Sequence, residues 1–278
     1  MKLDVEKPET IASALEGCDA AYYLIHGMGQ GSNDYPEREA RSADNFVGAA
    51  KALGVSRVVY LGGVLPVGKR ASKHLTSRRA TGERLRAGGV STIELRAAMI
   101  IGEGSAGWTM VKDLSARLPA MILPRWLRNV SHPVAIDDVV WALVAALDYP
   151  GADSRVLEVP GPERISHRDL LKKVGSAMGR TRPMINVPVL SPKLSSYWIA
   201  LVTRVSLDLA KELVEGVRYD LEPQETVLWE LVEHQPMQLE EAARLALKDE
   251  NAAATPSRAA TVRMKSIGGE LAAGGSWC

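Results

Sequence analysis

A short apolar stretch, Ser56 to Gly63, constrains the fold of this chain more than any other feature. It reads SRVVYLGG, a run of β-branched and aromatic residues that two glycines close. A continuous apolar run of this length is typical of a central strand in a parallel sheet that is covered on both faces. Ligands of open α/β sheets bind beyond the carboxyl ends of such strands, so Gly62 and Gly63 mark a predicted binding site.

The segment before this strand alternates between strand and helix patterns. Residues 20–25 form another apolar run, which ends in a glycine-rich turn that begins with His26 and Gly27. Residues 36–53 carry apolar side chains at helical spacing, and Gly54 suits the left-handed cap that often ends a helix. This order of strand, helix and strand predicts parallel pairing with a right-handed crossover.

A third predicted strand, Ser91 to Arg96, repeats the same arrangement. The chain stays apolar through Ala97 and Met99 before two further glycines, Gly102 and Gly104. Arg96 stands at the end of the strand, where its guanidinium is placed to reach an anionic substrate or a phosphate. Three glycine-marked strand ends are therefore predicted to lie at one edge of the sheet.

The alternation loosens in the second half of the chain. Asp137 is predicted to cap one helix, and Ser166 with Asp169 resembles a capping box that opens another. We expect a domain over residues 1–160 and a smaller lobe over residues 161–247. Residues 248–278 are rich in Ala, Gly, Ser, Thr and charge, which predicts a disordered tail.

Charge and composition exclude several function classes. The formal net charge is +1 and the basic residues are dispersed, so we predict no nucleic-acid partner. The apolar runs are too short for a membrane span. Two cysteines, far apart in sequence, predict neither a disulfide-rich scaffold nor a thiolate metal site, and they fit a cytoplasmic protein. No group of His, Cys and carboxylates has metal-ligand spacing, so no metal is predicted.

Five stretches of the chain, in this order, resemble the atypical short-chain dehydrogenase/reductase superfamily, and most of all its NmrA-like NAD(P)-binding branch. The resemblance covers about Leu3 to Leu221, and the five stretches read ALEGCDAAYYLIHGM, NFVGAAKALGVSRVVYLGG, STIELRAAMIIGEGSA, HPVAIDDVVWALVAAL and LEVPGPERISHRDLLKKVGSAMG.

This resemblance implies an α/β fold with a Rossmann-type parallel sheet that lacks its first strands, and a smaller C-terminal substrate lobe. It implies NAD or NADP as the cofactor, without a choice between them. The family's first strand and its glycine-rich phosphate loop have no counterpart here, which suggests an N-terminally truncated member with weakened dinucleotide affinity. Asp4 stands where the family has a residue near the adenine. The cofactor-binding residues predicted from the resemblance and the strand ends are Asp4, His26, Gly27, Gly62, Gly63, Arg96, Ala97 and Met99.

The family's catalytic Tyr-x-x-x-Lys motif is altered in this chain. The matching stretch, Lys73 to Arg79, places His74 or Leu75 at the tyrosine position and Arg78 or Arg79 at the lysine position. His74 and Arg78 are the predicted catalytic residues, with His74 as the substitute proton donor. Without the tyrosine, carbonyl reduction by the family mechanism is expected to be weak or absent.

The resemblance favours an NAD(P)-binding oxidoreductase that acts on a small-molecule substrate. Two alternatives stay open. One is a non-enzymatic dinucleotide sensor or assembly factor that works through a protein partner, and the absent tyrosine favours it. The other is an enzyme similar to the nucleotide-sugar epimerases, which would invert a stereocentre on its substrate.

Overall fold

The computed structural model describes residues 3–25, 34–67, 71–187, 192–225, 227–231 and 233–253. The predicted turn with His26 and Gly27 lies outside these residues. The strands are β1 Ala20–Tyr23, β2 Arg57–Gly63, β3 Ser91–Ala97, β4 Ile100–Ile101, β5 Met121–Pro124, β6 Val130–Ser131, β7 Val134–Ala135, β8 Arg155–Glu158, β9 Ile165–Ser166 and β10 Met184–Val187.

The helices alternate with these strands in the first half of the chain and dominate the second. They are α1 Pro8–Leu15, α2 Tyr35–Ala52, α3 Lys73–Ala87, α4 Ala106–Arg117, α5 Ile136–Leu147, α6 His167–Ala177, α7 Pro192–Val202, α8 Leu207–Gly216, α9 Val227–Leu231 and α10 Leu239–Ala253, with one 3-10 turn at Arg125–Arg128. The last helix continues past Lys248, where the sequence predicts a disordered tail to begin.

Four parallel strands form the main sheet in the order β1-β2-β3-β8. Parallel pairing of β1 with β2 around α2 confirms the predicted strand–helix–strand unit. Val58 and Tyr60 of β2 pack with α2 on one face of the sheet, while Val59 packs against α5 on the other. Because both faces are covered, β2 carries the continuous apolar run that made it recognisable in the sequence.

The lobe has a core of its own, which α4, α6, α8 and α10 build around the fully buried Trp108. Two small sheets frame it, a parallel pair of β5 and β10 and an antiparallel pair of β6 and β9. This core includes α4 and β5, which precede residue 160 in the chain. Residues before and after position 160, the boundary predicted from the sequence, therefore both contribute to the core of the lobe.

Two predicted helix caps have different outcomes. Ser166 caps α6 as expected, because its hydroxyl accepts a hydrogen bond from Asp169 N at 3.1 Å. The prediction for Asp137 is wrong: α5 begins one residue earlier, at Ile136, and Asp137 lies exposed within the first turn. The buried carboxylate of the pair is Asp138, which accepts hydrogen bonds from His234 Nε2 at 2.7 Å and Met237 N at 2.8 Å.

A buried carboxylate, Glu94 of β3, lies between the sheet and α3. Its side chain is 1% exposed and pairs with Arg86 of α3 and with Arg96, whose Nε lies 2.7 Å from Glu94 Oε1. Gly82 of α3 makes room for it, since a Cβ at Gly82 would lie 2.2 Å from Glu94 Oε2. The absence of a side chain at Gly82 therefore leaves the space that the buried carboxylate of Glu94 occupies.

Substitution of Gly82 by alanine is expected to destabilise the protein, although alanine is the better helix former by about 1 kcal/mol. The added methyl group would displace a carboxylate that two guanidinium groups hold, and overpacking of this kind costs about 1–3 kcal/mol. The matched control is Gly48→Ala in α2, where no atom lies within 4 Å of the new Cβ. In urea unfolding, Gly48→Ala should raise the midpoint and Gly82→Ala should lower it. Equal effects of the two variants would contradict this account.

Candidate functional site

A large cavity of about 960 Å³ opens at the carboxyl ends of β2 and β3. Its near wall is the end of the sheet and the start of α3, and its far wall comes from the lobe. Apolar side chains dominate the far wall, among them Met110 of α4, Ile199 of α7 and Leu213 of α8. Such a lining displaces water and suits a ligand with an apolar body.

Six of the residues predicted from sequence come together in this cavity. They are Gly62, Gly63, His74, Arg78, Ala97 and Met99. Arg96 is not among the residues that line the cavity, and its side chain is paired with Glu94. Asp4 lies elsewhere, before α1, where its carboxylate accepts a hydrogen bond from Glu6 N at 3.0 Å.

The end of β2 fits closely under α3. A Cβ at Gly63 would lie 3.0 Å from Leu75 Cδ2, so the glycine lets the strand end and the helix start approach each other. Ser72 caps α3 by accepting a hydrogen bond from Leu75 N at 3.2 Å. This arrangement fixes the first turn of α3, and with it His74, at the cavity wall.

Arg78 is held one turn further along α3. Its guanidinium donates to the carbonyl oxygen of Leu61 and lies 5.6 Å from the centre of the Tyr60 ring. Among the described residues of the cavity wall it is the one cationic side chain. Because Arg78 is bonded to the end of β2, its charge lies where a ligand at Gly62 and Gly63 would meet it.

No tyrosine is found among the described residues that line the cavity. Tyr60 lies nearby, but its hydroxyl donates to the carbonyl oxygen of Arg78 at 3.0 Å. Burial raises the pKa of Tyr60, with Arg78 lowering it as the next cause. This phenol is therefore engaged in the packing of α3 and is not presented to the cavity.

The polar cavity residues that were not predicted from the sequence include Trp126, Ser131, His167 and Glu212. Each has a buried nitrogen or oxygen atom that meets no hydrogen-bond partner in the described part of the chain. Burial lowers the pKa of His167 to about 4, and the charge of Asp220 opposes that shift. Burial also raises the pKa of Glu212. These residues lie in four separate elements, Trp126 in the 3-10 turn, Ser131 in β6, His167 at the start of α6 and Glu212 within α8, and they belong to no common motif, so no local sequence signal marks them.

The near wall has little side-chain bulk. Gly62 and Gly63 end β2 without side chains, and Ala97 at the end of β3 and Ala98 after it have small ones, so the backbone there is accessible. Within the described residues, no group of three or more His, Cys, Asp or Glu side chains is arranged to hold a metal ion. No described helix is long and apolar enough to cross a membrane.

Comparison with known proteins agrees with this geometry. Residues 1–113 match a family model described as NAD(P)H-binding. A comparison with curated protein sequences finds no significant match.

Solved structures with the same fold include reductases and an epimerase. UDP-glucose 4-epimerase from Thermotoga maritima superposes with a TM-score of 0.68 at 15% identity, over 92% of this chain and 85% of the other. Triphenylmethane reductase from Citrobacter sp. gives 0.67 at 16% identity, over 88% and 82%. The NADPH-dependent quinone oxidoreductase of Escherichia coli, solved with NADPH, gives 0.67 at 17% identity, over 88% and 82%. These likenesses confirm the predicted Rossmann-type α/β fold.

Proposed function

We propose that this chain, which has the fold of the atypical short-chain dehydrogenase/reductase superfamily and an NAD(P)H-binding N-terminal part, is an NAD(P)-dependent reductase of apolar carbonyl compounds. The observation that carries the proposal is the cavity at the carboxyl ends of β2 and β3, where six predicted site residues meet an apolar far wall. The likeness in fold to a quinone oxidoreductase and to a reductase of triphenylmethane dyes supports this choice.

The near wall would hold the nicotinamide end of the cofactor. Gly62 and Gly63 offer bare backbone, and Ala97 and Met99 border the same space at the end of β3. When bound there, a reduced nicotinamide supplies a hydride, which reduces a carbonyl carbon as the nicotinamide becomes oxidised. The proposal covers both NADH and NADPH.

Carbonyl reduction also needs one proton at the substrate oxygen. His74 lines the cavity on the first turn of α3, and its imidazole is a group that can deliver a proton near neutral pH. Arg78 places a positive charge on the same wall, which would stabilise the negative charge that develops on the oxygen. The hydride and the proton together convert the ketone into an alcohol.

The lining of the cavity favours reduction over the two alternatives. A nucleotide sugar has many hydroxyl groups, and an apolar wall would leave most of them without partners. A protein that only senses a dinucleotide has to bind the cofactor and nothing else, so it needs no apolar cavity beside the nicotinamide. If the chain binds NADPH but catalyses no reduction, that result would favour the sensor alternative.

The proposal predicts that the folded full chain binds NADPH or NADH and then reduces an apolar aryl ketone. Binding is measured by calorimetric titration, and turnover by the loss of reduced-nicotinamide absorbance. His74→Gln should lower the rate by about 10²- to 10⁴-fold while the Kd of the cofactor is unchanged, since the variant removes a proton donor and no cofactor contact.

Arg78 has a matched control on its own helix. Arg78→Ala should slow turnover, whereas Arg79→Ala should not, because Arg79 lies outside the cavity and faces Glu83 at 3.6 Å on the surface. Absence of cofactor binding by the folded chain would refute the proposed function. Binding without turnover of any carbonyl compound would replace it by the sensor.

A further inference from the structure

Two unpaired polar atoms lie on one wall of the apolar cavity. Ser131 is 1% exposed and His167 is 7% exposed, and both residues line the cavity. Ser131 Oγ and His167 Nε2 have no hydrogen-bond partner among the residues that the structure describes. Buried polar atoms in folded proteins are almost always paired, so two unpaired ones on a single cavity wall call for a ligand.

Ser131 and His167 are distant in the sequence and share no motif, and strand pairing brings them together. In the antiparallel pair of β6 and β9, Ser131 lies opposite Ile165. His167 follows β9 directly, and its backbone N–H donates to the carbonyl oxygen of Asn129 at 3.1 Å. Ser131 and His167 are therefore diagonal neighbours across the pair, a separation that side chains bridge.

The same two residues lie close to the predicted reaction site. Leu221 forms an isolated bridge to Ser131 and packs with Val64, which follows β2, and with Leu75, the neighbour of His74. Val134 N donates to the carbonyl oxygen of Met99 at 2.9 Å, which ties the segment after Ser131 to the end of β3. A compact ligand at the near wall can thus extend to Ser131 and His167.

The two groups suit an uncharged ligand. A hydroxyl and a neutral imidazole can each donate or accept a hydrogen bond, so the pair can hold either a carbonyl or a hydroxyl oxygen. The acidic residues Glu103 and Glu212 also line the cavity, and they would repel a carboxylate. The one cationic group of the described lining, Arg78, is bonded to Leu61.

We propose that Ser131 and His167 bind a second polar group of an otherwise apolar, uncharged substrate, a carbonyl or hydroxyl oxygen other than the one that His74 would protonate. As a statement about the substrate of a reductase, this site rests on the proposed function; as a statement about binding, it stands on the cavity alone. Because each group of the pair can donate or accept, the pair can hold either a ketone oxygen or an alcohol oxygen.

The experiment compares four probes of similar shape by equilibrium dialysis against the full chain without cofactor. They are 2-acetylnaphthalene, its alcohol 1-(2-naphthyl)ethanol, the hydrocarbon 2-ethylnaphthalene and the carboxylate 2-naphthoate. The ketone and the alcohol are expected to bind about tenfold more tightly than the hydrocarbon, as two hydrogen bonds would give. The carboxylate is expected to bind more weakly than the ketone.

Variants decide whether this preference comes from the proposed pair. Ser131→Ala and His167→Leu should each reduce the preference for the ketone several-fold without weakening the binding of the hydrocarbon. The matched control is Ser115→Ala, which removes a buried hydroxyl of the lobe that donates to the carbonyl oxygen of Leu171 and does not line the cavity. It should keep the full preference.

The outcomes separate this inference from the proposed function. Equal binding of ketone and hydrocarbon, or a preference that survives both cavity variants, would overturn the inference even if NADPH binds. A preference that is lost in both variants would support it even if NADPH does not bind, in which case the reductase proposal alone fails.

Discussion

Replacement of Glu94 by Gln is expected to lower the free energy of unfolding by about 3–5 kcal/mol. The variant keeps the shape of the side chain but removes the negative charge between two guanidinium groups. Burial lowers the pKa of both Arg86 and Arg96, because each guanidinium is partly withdrawn from water. The two positive charges between α3 and the sheet would then lose the carboxylate that pairs with both, and Glu83 and Glu158 would be the opposite charges left near them.

The control for this experiment is an exposed ion pair on α3, the helix that carries Arg86. Glu83 lies 3.6 Å from Arg79, and both side chains are about half exposed. Glu83→Gln should therefore change the free energy of unfolding by less than about 1 kcal/mol. The two variants are compared by urea denaturation at neutral pH, followed by circular dichroism. A loss for Glu94→Gln as small as that for Glu83→Gln would show that Glu94 is not needed to neutralise its neighbours.

Acidification is expected to destabilise the protein through His167. An unfolded histidine has a pKa near 6.5, whereas burial lowers the pKa of His167 to about 4. Above pH 6.5 the imidazole is neutral in both states. Between pH 6.5 and 4 the unfolded chain takes up a proton that the folded chain refuses, so stability falls as pH falls. The loss reaches about 3 kcal/mol at pH 4 and levels off below it, once the folded chain also takes up the proton.

Carboxylates also titrate in this pH range. The contribution of His167 to the pH dependence of stability is therefore obtained by comparing a variant that lacks it with the wild type. His167→Leu should be more stable than the wild type at pH 4, relative to their difference at pH 7, by about 3 kcal/mol. Ser131→Ala changes the same wall without removing a titratable group and should follow the wild-type pH dependence. If His167→Leu shows the wild-type slope between pH 7 and 4, the imidazole is not held neutral by burial.

The main sheet could be predicted from sequence because its strands are marked locally. β2 and β3 are apolar runs with glycine or small residues after them, and their parallel pairing follows from the helix between them. The predicted first strand was two residues too long. Leu24 and Ile25 continue its apolar run but lie outside β1, with exposures of 51% and 41%.

The near wall of the site was predictable for the same reason, while the far wall was not. Gly62, Gly63 and Ala97 lie at strand ends, which a sequence pattern can locate. Ser131 and His167 meet only because β6 pairs with β9, and two-residue strands have no periodicity to detect. Glu94 likewise looked like an ordinary strand residue, since nothing local reveals that Arg86 and Gly82 face it.

The cavity has one wall at the end of β2 and another on α8, so a single ligand can contact both the sheet and the lobe. A ligand that fills it would touch Gly63 and Leu213 at the same time. A ligand that contacts both would stabilise the packing of α8 beside the end of β2, because it binds the folded arrangement and not one in which the two are separated. Ligand binding should therefore slow the exchange of the amide protons of α8 with solvent.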